Sequence, residues 1–297
     1  MTVTASLRPR GPYSLALTAR LAGDASRTFR DGVLDALLPV DGGVERVQAR
    51  QHPDGTIEIA AGSDEGVQRM CFVLAIDDDH SEFLRLCRRD PLLSETASRL
   101  QGLRQIRLPT VAQALLRALC GQLIESSRAR ALERRIVRST TGRHDGLNAP
   151  PTRSDLGALA PARLRALGLH ARRGAALVRL CGELDLERLR DVSTENVAAR
   201  LLRERGLGPW SVGVVCLEGL GRTERGLVGD LGLVKLLGAL AGRRVEAAET
   251  AALLEPYGEW AGLASLYLLI GFSRGLLPLP DVSPRRRAPA GLRFAAA

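Results

Sequence analysis

The chain has 297 residues, 45% hydrophobic and 25% charged, which supports one or two ordinary cores and excludes a wholly disordered polypeptide. Its 42 basic residues outnumber 33 acidic ones, giving a formal charge of +9 and a pI near 10.2, a balance that favours phosphate-bearing partners. The five cysteines, Cys71, Cys87, Cys120, Cys181 and Cys216, form no CxxC pair, which argues against a disulfide framework, a zinc site or a four-cysteine iron–sulfur cluster in the C-terminal part.

Met1 to Pro12 lacks an apolar run of signal length, and no stretch reaches the roughly 18 apolar residues of a membrane span; the expectation is a cytoplasmic protein with no membrane partner. Tyr13, Leu15, Leu17 and Ala19 alternate and predict a half-buried extended segment. Phe29, Val33 and Leu37, four apart, predict a helix after it. Glu45 to Arg50 and Thr56 to Ala60 flank Pro53-Asp54-Gly55, the pattern of a hairpin with Ile57 and Ile59 on one side. Val67, Met70, Cys71 and Leu74 then mark an amphipathic helix that stops before Asp77-Asp78-Asp79. Residues 1–92 read as a small α+β N-terminal domain.

Beyond residue 92 the strand signal gives way to helical periodicity. Thr110 and Gln113 form a capping-box pattern after Pro109 and open a long apolar stretch, Val111 to Val137, that Gly121 bends or breaks. Thr140 to Asp155, rich in Pro, Gly, Asn and Asp, reads as a surface connection. Pro161 starts a helix that Gly168 ends, Arg173 to Leu184 supplies another, and Ser193 or Thr194 caps the next. Val245 to Leu254 and Trp260 to Phe272 are helical in pattern, so residues 93–280 read as an all-α region. Residues 281–297, with Arg285-Arg286-Arg287, read as a basic disordered tail.

One segment carries most of the functional information. Val197, Leu201 and Leu202 give a helix an apolar stripe, and Gly206-Leu207-Gly208-Pro209-Trp210 turns the chain into a second helix. Gly206 suits the left-handed end of the first helix, and Gly208 keeps no side chain between the turn and an approaching backbone. Pro209 fits the first position of the second helix. The amides that follow, including those of Trp210 and Ser211, face outward with the positive end of the helix dipole, a ready anion site. A plain helix–turn–helix corner has the same residues.

Twenty residues after Trp210 comes Asp230, in Val228-Gly229-Asp230-Leu231-Gly232-Leu233. It fits the N-cap of a helix from Leu231 to Leu240, where amide donors and the dipole favour the carboxylate. A permanent anion suits the stabilisation of a developing cation, such as the oxocarbenium-like sugar of N-glycosidic cleavage, or the orientation of an attacking water.

Leu201 to Val215, Gly229 to Leu233, Gly121-Gln122-Leu123-Ile124 and Gly262-Leu263-Ala264-Ser265-Leu266-Tyr267 together resemble the helix–hairpin–helix DNA glycosylases, most of all the bacterial 3-methyladenine DNA glycosylase II group. The resemblance spans nearly the whole chain. It implies a TATA-binding-protein-like α+β N-terminal domain followed by an all-α helix–hairpin–helix glycosylase domain. It implies Asp230 as the catalytic aspartate, and Gly206, Leu207, Gly208, Trp210 and Ser211 as the hairpin that grips a DNA phosphate, with a monovalent cation on the hairpin carbonyls as a possible aid. Trp210 stands where bifunctional relatives carry a Schiff-base lysine, and Lys235 is the sole lysine of the chain. Hydrolysis without lyase chemistry is the implied activity.

The base pocket departs from the family pattern. Leu123 follows Gln122 where relatives place a second glutamine, Glu125 stands at a usual serine, Val214 lies one turn past Trp210, and Leu269 occupies an expected tryptophan position. Candidate pocket residues are Gln122, Leu123, Trp210, Val214, Tyr257, Trp260 and Leu269. The implied function is excision of alkylated purines from double-stranded DNA in base excision repair, by a monomer that needs no cofactor. Two alternatives stay open: a glycosylase of the same fold for an oxidised or deaminated base, and a non-catalytic helix–hairpin–helix DNA-binding protein.

Overall fold

Five antiparallel strands dominate the first sixty residues of the computed structural model, which describes residues 2–280; the arginine run of the tail lies outside the described residues. β1 (Val3–Leu7), β2 (Arg27–Arg30), β3 (Val33–Val40), β4 (Gly43–Gln51) and β5 (Ile57–Ala61) lie in the order β1-β5-β4-β3-β2. Leu34, Ala36 and Leu38 of β3, Val47 and Ala49 of β4, and Ile57 and Ile59 of β5 share one buried face. Met70, Val73 and Leu74 of α2 (Asp64–Leu74) pack on it. The hairpin around Pro53-Asp54-Gly55 and the amphipathic helix thus form as the sequence predicts.

Two local expectations fail. The four-residue spacing of Phe29, Val33 and Leu37 belongs to a strand pair, because Asp31 (φ 50°) and Gly32 (φ 76°) form the two-residue turn between β2 and β3. Two central residues with positive φ are what a tight hairpin requires. The alternating Tyr13 to Ala19 segment contains a short helix, α1 (Leu15–Ala19), because the Ser14 hydroxyl accepts from the Leu17 amide and Leu15, Thr18 and Ala19 turn inward. β1 and its pairing with β5 were not expected, although Val3, Ala5 and Leu7 alternate with Thr4 and Ser6.

Helices make up most of the chain beyond α2: α3 (Ser81–Arg89), α4 (Ser94–Arg99), α5 (Val111–Gly121), α6 (Ser126–Thr140), α7 (Arg153–Gly157), α8 (Pro161–Ala166), α9 (Ala171–Glu183), α10 (Thr194–Leu202), α11 (Pro209–Val214), α12 (Leu231–Ala241), α13 (Thr250–Leu254) and α14 (Ala261–Ser273). A π-helical turn, Val215–Leu220, continues α11. None of the described helices is long and apolar enough to cross a membrane. The apolar stretch from Val111 is two helices, α5 and α6, broken between Gln122 and Glu125. Thr110 caps α5 by accepting from the Gln113 amide, but the Gln113 side chain donates to Glu133 instead of closing the capping box. The connection from Thr140 is less open than predicted: β6 (Arg143–His144) pairs with β7 (Leu147–Asn148), and both residues of β7 are buried. Asp155 belongs to α7, where it completes a capping box with Thr152.

The sheet unit and the helical core meet at a buried charge network. Arg117 of α5 donates to both carboxylate oxygens of Glu133 on α6 at 2.8 Å, to Glu218 in the π-helical turn at 2.5 Å and to Asp24 at 3.3 Å. Arg27 of β2 completes it through Asp24. Burial pushes the Asp24 carboxyl up, but Arg27 and Arg117 outweigh it and hold the group down at about 2. A buried ion set of this kind costs desolvation and is tolerated because each charge has several partners.

Candidate active site

The hairpin forms as its residues dictate. After α10, Gly206 takes φ 100°, a left-handed conformation that a side chain would strain, and lets the chain reverse. Gly208 is the N-cap and Pro209 the first residue of α11, so the Trp210 and Ser211 amides lie in a first turn with no helical acceptor. Leu207 is buried and anchors the turn from below, whereas Gly206 is exposed.

The segment from the π-helical turn to Asp230 is pinned by close packing. A Cβ on Gly213 of α11 would come within 2.6 Å of the Gly226 carbonyl oxygen, so only glycine lets the two pass. The Leu227 amide donates to Ser265 Oγ at 3.0 Å, and the Gly229 amide to Thr250 Oγ1 at 2.8 Å. Asp230 then caps α12. Its Oδ1 accepts from the Gly232 amide at 2.7 Å, and its Oδ2 accepts from the Trp210 indole Nε1–H at 2.8 Å. One donor on each oxygen fixes the carboxylate plane and leaves its remaining lone pairs without a protein partner among the described residues.

The Trp210 ring is seated on Gly121, the last residue of α5; a Cβ there would lie 2.5 Å from the indole Cη2. Leu269 of α14 lies against the start of α12 beside Asp230, its Cδ2 within 2.4 Å of where a Gly232 Cβ would stand. Gln122, next after the Trp210 seat, turns toward the hairpin: its side-chain amide donates to the Gly206 carbonyl at 2.7 Å and to Ser211 Oγ at 3.0 Å. Leu123 is 83% exposed with φ 58°, a left-handed posture that costs a leucine about 1–2 kcal/mol.

Of the sequence-predicted residues, then, Trp210, Gln122 and Leu269 gather around Asp230 and the hairpin, and Leu123 projects beside them instead of lining a pocket. Three others are spent on packing. Val214 is buried in the helical core. The Tyr257 hydroxyl donates to Asp90 at 2.7 Å, and the Trp260 ring packs against His80 and Phe83 with centroids 6.1 and 6.0 Å away. The Glu204 and Gly206 carbonyls of the hairpin each accept one bond, from the Leu207 amide and from Gln122. Lys235 is exposed on α12. The N-cap bond from Gly232 to Asp230 forms as expected, whereas Thr250 and Ser265, which fix the loop before Asp230, were not foreseen. Their partners lie up to 38 residues away along the chain, and no local pattern marks them.

No family model matches the chain. It is 26% identical over 206 residues to a DNA-3-methyladenine glycosylase of Bacillus subtilis, an alignment covering 65% of this chain and 67% of the relative. A 3-methyladenine DNA glycosylase from Archaeoglobus fulgidus shares its fold with a TM-score of 0.79 at 20% identity, over 91% of this chain and 98% of the other. So does the 8-oxoguanine glycosylase/lyase of Clostridium acetobutylicum, solved with double-stranded DNA carrying cytosine opposite 8-oxoguanine, with a TM-score of 0.74 at 16% identity, over 93% and 99% of the two chains. With its hairpin, its capping carboxylate and this fold, the chain is similar to the helix–hairpin–helix DNA glycosylases.

Proposed function

We propose that the protein is a monofunctional DNA glycosylase that hydrolyses the N-glycosidic bond of alkylated purines, with Asp230 as its catalytic carboxylate. The observation that carries this reading is the double fixing of Asp230, by the Gly232 amide and by Trp210 on the first turn of the hairpin's second helix. An anion held rigidly costs no reorganisation when charge develops, which is the main requirement for electrostatic catalysis.

In this reading a DNA phosphate sits on the amides that follow Gly208, and the extruded nucleotide brings C1′ against Asp230. As the bond from C1′ to the base nitrogen lengthens, the sugar gains oxocarbenium character and the carboxylate stabilises it. Water adds to C1′, its proton passing to Asp230 or to solvent, and the base departs with the electron pair of the broken bond. A 3-methylated or 7-methylated purine already carries positive charge, so it leaves as a neutral base without a general acid, and its weakened pairing lowers the cost of extrusion. Leu123, apolar and projecting, fills the gap in the base stack, as apolar side chains do when they wedge between base steps. Trp210 in place of a lysine, with Lys235 the only amine-bearing side chain in the sequence, supports hydrolysis without strand cleavage. The likeness to a DNA-3-methyladenine glycosylase supports a methylated-purine substrate, and we take the partner to be damaged double-stranded DNA bound by a monomer.

Duplexes carrying 3-methyladenine, 7-methylguanine, hypoxanthine or 8-oxoguanine, incubated with the protein and scored for abasic sites, test the reading. Release of the methylated purines alone, lost in Asp230→Asn, is the expected result. Release of 8-oxoguanine in their place moves the substrate assignment to oxidised purines, and no release from any duplex makes the chain a DNA-binding protein only.

A further inference from the structure

The side chain of Gln122 reaches across to the hairpin. Its single amide nitrogen spans both arms of the hairpin, the Gly206 carbonyl at the end of the first arm and Ser211 Oγ in the first turn of the second. Ser211 is buried, so this end of the strut is held in place. The next residue in the chain is Leu123, in a left-handed conformation and almost fully exposed. On the other side, α6 begins only at Ser126, and its N-cap Glu125 makes no capping bond. Between the end of α5 and the start of α6, Gln122 therefore makes the only side-chain hydrogen bonds among residues 122–125 of the described structure.

We infer that Gln122 is a positioning residue that locks the Leu123 loop to the hairpin, so that the phosphate grip and the projection of Leu123 act as one unit. This rests on the reading of Leu123 as the side chain that enters the base stack. A leucine has no intrinsic reason to stay left-handed and exposed to water: relaxing its backbone relieves strain, and folding back its side chain buries apolar surface. What opposes both is the tie at the preceding residue. Because the tie ends on the hairpin and not on α5, a phosphate that orders the hairpin also stiffens the base of the loop, and the apolar tip is ready when the DNA backbone is gripped. Without the tie, the hairpin still grips DNA, but the loop pays its ordering entropy only on entering the stack.

The test compares affinity for a duplex holding a tetrahydrofuran abasic analogue with affinity for the matching intact duplex. It uses the wild type, Gln122→Met (which keeps length and loses the donor), Gln122→Ala, Leu123→Ala and the Gln122→Met/Leu123→Ala pair. We expect the wild type to prefer the abasic duplex, Leu123→Ala to lower that preference about tenfold, and each Gln122 variant to lower it about fivefold. The pair should fall no further than Leu123→Ala alone, because the tie has no other object. Losses that multiply in the pair overturn the inference, as does a fall in both affinities that leaves their ratio intact, which makes Gln122 a staple of the hairpin only. A wild type without any preference overturns the reading of Leu123 and the tie with it, whereas a preference that both Gln122 variants keep overturns the tie alone.

Discussion

The Trp210 indole donates to Asp230 Oδ2 across 2.8 Å although twenty residues separate the two in the chain. Trp210→Phe keeps an aromatic ring but removes both the indole donor and the outer ring edge that meets Gly121. The rate of base release under single-turnover conditions should drop roughly tenfold to a hundredfold, the cost of a loosened catalytic group, with little change in DNA affinity. An unchanged rate removes Trp210 from any role in orienting the carboxylate.

Asp230→Asn retains a competent helix cap, since asparagine serves an N-cap about as well as aspartate. Thermal stability should therefore stay close to wild type while base release falls by a factor of about a thousand or more, the scale of losing a main electrostatic contributor. A large drop in melting temperature would reassign Asp230 to structure.

Gly121→Ala places a methyl 2.5 Å from the indole Cη2, closer than any real contact. The ring must move, so the substitution should cost about 1–3 kcal/mol of stability as overpacking does. The bond to Asp230 goes with it. Base release and the intrinsic tryptophan fluorescence should change together, which spectra and activity of the same sample will show.

Gly206→Ala forces a Cβ into φ 100°. A destabilisation of about 1 kcal/mol or more is expected from urea unfolding. Because the turn proposed to hold a DNA phosphate is the part distorted, affinity for undamaged duplex should weaken as well, with a shallower dependence on salt if a phosphate contact is lost.

Stability toward acid should report on Asp24. Its carboxyl lies at about 2 in the folded chain against an ordinary 3.8, since Arg27 and Arg117 overcome the upward push of burial. A folded value below the unfolded one means the contribution is complete above about pH 4 and disappears as pH falls toward 2, worth about 2 kcal/mol. Urea titrations at pH 5 and pH 2.5 should show this difference, and Asp24→Asn should reduce it.

The hairpin and Asp230 were legible because each uses residue types that few other local structures need: glycine with positive φ, proline at a helix start, an acid at an N-cap. Periodicity misled at Phe29, Val33 and Leu37, where three residues four apart straddle a turn; the Asp31-Gly32 pair was the better signal and marks the hairpin correctly. The pocket candidates divided for a different reason. Tyr257 and Trp260 are apolar rings on the right stretch of chain, but their partners, Asp90 and Phe83, come from more than 160 residues earlier, and nothing nearby in sequence announces them. Leu123 could not be placed from its neighbours, because exposure and a left-handed backbone are properties of the break between α5 and α6.

The first turn of α11 carries both the amides offered to a phosphate and the indole that holds Asp230. Those two points are therefore a fixed distance apart. If a phosphate binds at those amides, a nucleotide still stacked in the duplex would have to turn out before its C1′ could reach Asp230. If Asp230 is the catalytic carboxylate, selection begins with whether a nucleotide can turn out far enough to meet the second point, before any side chain inspects the base.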